Sequence, residues 1–251
     1  MKAQCSDKRT WAPVVVLILA SVIASCSIAM AQWTDAAEAC YQAGDDPASG
    51  IELCTAAIEG GELGDENLAI THSNRGNSYY DVAQYDQAVS DYEMALEIAP
   101  NDPVTLSNRG AAYLELEDYE QALEDLNSAL SIYPDNPVAL TNRCWVHAIQ
   151  GRYDLAQYDC NDALRLEPLD PITLASRVYV LMQLGDIEAA RDDAALAVQF
   201  GAHLWQTHFY RGLTYEMDGD LTAAEASYRA AVELAPSEPR IQDKLAELGV
   251  H

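Results

Sequence analysis

From residue 35 onward, apolar side chains recur three and four positions apart, as in Leu106, Gly110 and Tyr113 and again in Ala122, Leu126, Ala129 and Leu130. That period belongs to helices with one buried face. Polar and turn-forming residues interrupt it at short intervals. Gly151, Gly185 and the pair Asp118-Tyr119 mark breaks, and Pro100, Pro134 and Pro168 end longer stretches. Proline offers no backbone donor and its ring clashes with the preceding turn, so each of these positions stops a helix. The pattern predicts an all-α chain of short, paired helices.

The pairs repeat. A shift of 34 residues lays Asn74-Arg75-Gly76 on Asn108-Arg109-Gly110 and then on Asn142-Arg143-Cys144, and it brings the three prolines into one column. Units 69–102, 103–136, 137–170, 171–204 and 205–238 follow one another without a gap. Two alanine columns run through all of them: Ala88, Ala122, Ala156, Ala190 and Ala224, then Ala95, Ala129, Ala163, Ala197 and Ala231. Side chains this small let helices approach closely. One pair cannot bury its own apolar face, so stacked neighbours must share a continuous core.

In the 34-residue period, the column Gly76, Gly110 and Gly212, the tyrosines Tyr79, Tyr113 and Tyr215, the alanine columns and the terminal prolines, the chain resembles the tetratricopeptide repeat family over residues 69–236. The resemblance implies a right-handed α-solenoid of helix-turn-helix repeats. The chain departs from the family where Cys144 and Val178 replace the small residue, where Ala202 replaces the last proline, and where arginine fills a column that usually holds leucine. Residues 32–68 resemble a degenerate capping helix pair. Residues 237–251 resemble the solvating final helix of such arrays, with Ile241, Leu245 and Leu248 on one stripe.

The first 31 residues have the composition of an export signal. Lys2, Lys8 and Arg9 form a positive start, Val14 to Ala31 is uncharged and largely apolar, and Ala29-Met30-Ala31 fits a cleavage site between small residues. Two other fates compete with cleavage. Ile23-Ala24-Ser25-Cys26 resembles a bacterial lipobox, which would end the signal before Cys26 and lipidate it, and the apolar stretch is just long enough to remain as an uncleaved anchor. In each case the remainder leaves the cytoplasm, with the periplasm as the expected compartment and membrane contact only through the N-terminal segment.

Four cysteines then remain, Cys40, Cys54, Cys144 and Cys160, an even number in an exported chain. Cys144 and Cys160 lie about equally far from the turn near Gly151, which sets them side by side on antiparallel helices, and Cys40 and Cys54 flank Asp45-Asp46-Pro47 in the same way. Crossed pairings would span roughly 30 Å at about 10 Å per helix layer, whereas a disulfide needs Cα atoms within about 7 Å. No Cys-x-x-Cys redox motif is present.

The same hairpin argument applies to charge. Arg75, Arg109, Arg143, Arg177 and Arg211 share one offset, and Asp91, Asp125, Asp159 and Asp193 follow the first four by 16 residues, the separation of Cys144 from Cys160. An intra-repeat charge pair is expected in each of those four units. The last unit carries Ser227 in the aspartate's place.

Lys and Arg total 14 against 40 Asp and Glu, a formal charge of −26 that becomes −28 once the signal is removed. Such a chain repels phosphate backbones and anionic lipid surfaces, which excludes nucleic acid and favours a basic protein partner. By resemblance, the first helix of each unit builds a concave face. The residues there that packing does not need are Tyr80, Leu114, Trp145, Ile149, Tyr179, Met182, Phe209, Leu213 and Met217. Aromatic and methionine side chains in a groove are the usual anchors for a bound peptide or helix. The family's clamp for C-terminal carboxylates is broken: Asn77 and Asn108 match it, but Ser73 and Val138 stand where lysine is required.

No motif of a hydrolase, a nucleotide-binding loop or a cofactor site occurs, and the histidines show no metal-ligand spacing. Asp218-Gly219-Asp220 with Glu225 lacks the alternating ligands of a calcium loop. The expected function is a non-enzymatic, cofactor-free and metal-free scaffold that holds a partner segment in the periplasm. A membrane-anchored lipoprotein subunit of an envelope assembly is the alternative.

Overall fold

The computed structural model describes Cys40, residues 46–61 and residues 63–249. The export signal expected at residues 1–31, with Cys26, lies outside them. Among the described residues the regular elements are helices, and the fold is an all-α helix-turn-helix solenoid. The described residues divide into two compact parts, one up to Gln84 and one from Tyr85 onward.

In the first part, α1 (Pro47–Gly60) packs against α2 (Asp65–Asp81). Asp46 caps α1, its carboxylate accepting from the Ala48 N–H at 3.2 Å, and Pro47 occupies the first turn, where its missing donor costs nothing. Gly61 ends the helix with φ at 68°, in the left-handed region that glycine tolerates. Cys40 is buried and bonded to Cys54 of α1, with Cα atoms 4.8 Å apart. The helix α2 starts four residues before Ala69, crossing the expected boundary between the capping pair and the first repeat. No proline fixes that junction, and Asp65 and Glu66 in the first turn favour the helix dipole.

The second part runs α3 (Tyr85–Ile98), α4 (Pro103–Glu115), α5 (Tyr119–Ile132), α6 (Pro137–Ile149), α7 (Tyr153–Leu166), α8 (Pro171–Leu184), α9 (Ile187–Phe200), α10 (Trp205–Met217), α11 (Leu221–Leu234) and α12 (Pro239–Glu247). Sequence neighbours pack as hairpins: α4 with α5, α6 with α7, α8 with α9 and α10 with α11. The first helices of adjacent units also touch, α4 with α6, α6 with α8 and α8 with α10.

Three of the first helices, α4, α6 and α8, start on a cap followed by proline. Asp102 accepts from the Thr105 N–H at 2.8 Å, Asn136 from Ala139 at 3.1 Å and Asp170 from Thr173 at 2.7 Å. Aspartates also cap second helices, where Asp118, Asp186 and Asp220 accept from the residue three positions on. The turn inside each hairpin requires one left-handed residue. Gly151, Gly185 and Gly219 fill that offset with φ of 70°, 82° and 77°, but Glu117 adopts it too, at 60°; Ala83, at the same offset near the end of the first part, has φ 57°.

The alanine columns lie at the bottom of the core, where Ala122, Ala156, Ala190 and Ala224 are 0% exposed. On the capping helix α12, Ile241 and Leu245 are buried in the terminal cluster and Leu248 packs partly against it.

Candidate functional site

Two faces of the second part carry side chains that local folding does not require. The first is the row of arginines. Arg109 donates Nε and one NH2 group to both oxygens of Asp125, each at 2.7 Å. Arg143 does the same to Asp159 at 2.8 and 2.7 Å, and Arg177 to Asp193 at 2.7 and 2.8 Å. These are planar two-point pairs, and the aspartate side chains are 3–7% exposed.

The remaining guanidinium nitrogen of Arg143 and Arg177 reaches back one unit, donating to Asn127 at 2.9 Å and to Asn161 at 2.8 Å. Each of these two arginines therefore ties three helices. Sequence reasoning misses that inter-unit bond, although its signal is there: asparagine stands at one offset in successive units, Asn127 and Asn161. The Asp125 carboxylate and its hydrogen bonds hold the Arg109 guanidinium above its ordinary pKa.

Arg75 and Asp91 belong to different parts of the chain; within its own part Arg75 donates to the Thr55 hydroxyl at 3.0 Å. In the last unit Ser227 is buried and its hydroxyl donates to the Ala223 carbonyl at 2.9 Å. Arg211 NH2 lies 3.4 Å from His208 Nδ1.

His147 stands one turn after Arg143. Its Nε2 is 3.8 Å from Asp159 Oδ2, and its Nδ1 is buried without a partner among the described residues. Burial holds the imidazole below its ordinary pKa, against the pull of Asp159.

The second face belongs to the first helices. Residues seven and eleven positions apart lie within about 20° of each other around a helix, so Val138, Trp145 and Ile149 share a face of α6, as do Ile172 and Tyr179 on α8. Val104, Val138 and Ile172 sit at one offset on three stacked helices and are 57%, 52% and 38% exposed. Sequence reasoning names Val138 alone of these three, as a place where the clamp would need lysine, and does not find the row, because apolar residues at helical spacing do not by themselves show which face stays open.

Of the residues expected to line the groove, Ile149 and Met217 are exposed, whereas Leu114, Trp145, Tyr179, Met182 and Leu213 are half-buried, as is Tyr80 in its own part. Phe209 requires a correction. It is only 7% exposed, because Trp205, Tyr210 and Tyr228 enclose its ring with centroids 6.0, 5.4 and 5.7 Å away. It is core, not groove wall.

Trp145 and Tyr179 meet edge to face at 5.5 Å, and both touch Tyr210, at 6.2 and 6.3 Å. Tyr210 links the ladder helices to the terminal core. Its signal in the sequence is a tyrosine in a column that holds asparagine in three earlier units. Its burial pushes the phenol pKa far up.

Among the described residues no group of three or more His, Cys, Asp or Glu side chains could hold a metal ion, and no helix is long and apolar enough to cross a membrane. Cys144 and Cys160 form a disulfide with Cα atoms 5.4 Å apart, which withdraws both thiols from chemistry.

Residues 67–135 and 205–239 match the tetratricopeptide repeat family. A thermophilic TPR protein from Thermus thermophilus is 22% identical, with a TM-score of 0.62 over 72% of this chain and 98% of that one. A tetratricopeptide repeat protein from Parabacteroides merdae is 19% identical, with a TM-score of 0.65 over 83% and 80%. A chain of the APC/C hetero-tetramer Cut9-Hcn1 is 17% identical with a TM-score of 0.72; 83% of this chain spans 40% of that one. At these identities the likeness is one of fold. No curated protein sequence matches this chain.

Proposed function

Because residues 67–135 and 205–239 match the tetratricopeptide repeat family, we propose that the chain is a binding scaffold which holds a segment of another protein along the concave face of its first helices. The observation that carries this reading is the exposed ladder Val104, Val138 and Ile172, extended along the same helices by Trp145, Ile149, Tyr179 and Met182. Apolar side chains aligned across successive helices are anchors for an extended or helical segment, since covering each one removes apolar area from water at about 25 cal/mol per Å². The charge of −26 favours a segment that is basic between its apolar anchors.

The proposal includes the compartment. An export-type N-terminus and two disulfides together fit a protein that works outside the cytoplasm, the periplasm being the natural site. Lipidation at Cys26 would make the same scaffold a membrane-anchored subunit of an envelope assembly, and the mass of the mature N-terminus distinguishes the two.

The test is site-specific crosslinking in the native host. A photoreactive residue replaces Val138, with Glu124 on the exposed side of α5 as control, and captured proteins are identified by mass spectrometry. The reading expects one protein captured at Val138 and not at Glu124, whose purified form loses binding to the Val138→Asp and Ile172→Asp variants. Equal capture at both sites, or undiminished binding to both variants, overturns it.

A further inference from the structure

The last unit breaks the rule that the three before it obey, and the geometry points to Arg211 as a binding site for a carboxylate supplied by another molecule. In those units the arginine's Nε and NH2 donate to both oxygens of an aspartate 16 residues on, and in two of them NH1 reaches an asparagine 16 residues back. Around Arg211 both partners are gone. Ser227 holds the aspartate's offset and Ala195 the asparagine's. Ser227 spends its hydroxyl on the Ala223 carbonyl at 2.9 Å.

The result is a buried Arg211 Nε with no hydrogen-bond partner among the described residues. His208 does not repair this. Its Nε2 lies 2.9 Å from the Ala202 carbonyl, so the proton sits there, and Nδ1 offers Arg211 NH2 only a neutral lone pair at 3.4 Å. A permanently charged guanidinium with a buried donor unpaired is costly to leave so, and the group that satisfies Nε and NH2 together is planar with two oxygens. Three units of this same chain use a carboxylate for it.

The site is separate from the apolar ladder. Arg211 and Leu213 are two residues apart, about 200° around the helix, so a carboxylate here does not depend on what covers the first-helix face. Nε itself is buried, but the Arg211 side chain as a whole is only half-buried, which leaves part of it open to solvent. On a chain of charge −26, one unpaired arginine is also a selective place for an anion, since the surrounding field repels others.

The test reads the arginine Nε–H signals by NMR on the full mature protein as acetate is added, with chloride at equal ionic strength as control. The Arg211 signal should move saturably, while those of Arg109, Arg143 and Arg177 stay in place. In the Ser227→Asp variant, which supplies the carboxylate from within, the Arg211 signal should sit with the other three and ignore acetate. Should that variant fail to fold, Arg211→Lys keeps the charge without the two-point donor, and acetate should then raise the melting temperature of the wild type but not of this variant. No saturable movement, equal movement with chloride, or an unchanged response in the variants overturns the assignment. Displacement of acetate by a lower concentration of inorganic phosphate overturns the carboxylate as its ligand.

Discussion

The ring of Tyr228 occupies the space that a side chain on Gly212 would need: a β-carbon built on Gly212 would lie 2.4 Å from Tyr228 Cε1. The ring cannot withdraw. It is 0% exposed, and its hydroxyl donates to Glu216 at 2.7 Å, which in turn accepts from Lys244 of the capping helix at 3.1 Å. Size is traded across this one hairpin contact throughout the second part. Gly110 faces Leu126, and at the same two offsets stand the disulfide pair Cys144 and Cys160, then Val178 with Ala194. Gly212→Ala should therefore lower stability by about 2 kcal/mol despite alanine's better helix propensity. Urea unfolding followed by circular dichroism measures it, and an unchanged midpoint would show that the contact can relax.

Glu117 stands in the left-handed region at φ 60°, at the offset where the next three units carry glycine. A side chain there costs on the order of 1 kcal/mol. Glu117→Gly is expected to stabilise the protein by about that amount, and Gly151→Ala, which meets no atom within 4 Å but inherits the strained backbone, to destabilise it similarly. Thermal melts of the two variants should shift in opposite directions.

Asp193 is buried against Arg177, whose side chain is 24% exposed. Asp193→Ala leaves that cation unpaired and should cost about 3 kcal/mol, near the low end for a buried pair. The double variant with Arg177→Met should recover part of the loss. A double-mutant cycle read from urea midpoints decides whether the pair is coupled at all.

The disulfide between Cys144 and Cys160 closes a loop across a separation of 16 residues. Its removal by Cys144→Ala with Cys160→Ala should cost roughly 3 kcal/mol through the freedom returned to the unfolded chain. The comparison is made under oxidising and reducing conditions. A reductant that destabilises the double variant as much as the wild type would assign the effect to Cys40 and Cys54 instead.

His147 gives the stability a pH dependence of known sign. Its pKa lies below the ordinary 6.5 because burial disfavours the charged ring. Protonation then favours the unfolded chain, so this contribution is intact above about pH 6.5 and is lost as pH falls from there toward the folded value. Urea midpoints at pH 7.5 and 5 should differ less for His147→Gln than for the wild type. An equal loss in both would place the dependence in other groups.

Sequence and tertiary structure divided the work along a physical line. Helix period, stops and the 34-residue repeat are local, and so is the level of a hairpin partner, since a turn sets side by side the residues about equally far before and after it. Arg109 could thus be matched to Asp125, and Cys144 to Cys160, from spacing alone. The same spacing marked Arg211 as lacking its aspartate. What spacing could not decide was exposure, because burial is set by the neighbouring unit and not by the residue's own helix.

Phe209 reads as a groove residue until Trp205, Tyr210 and Tyr228 close around it, while the row formed by Val104, Val138 and Ile172 goes unnoticed until stacking leaves it on an open face. The reach of Arg143 to Asn127 likewise crosses between units. A one-dimensional period fixes which residues share a helix face, whereas only the packing of one helix pair on the next determines whether that face meets protein or water.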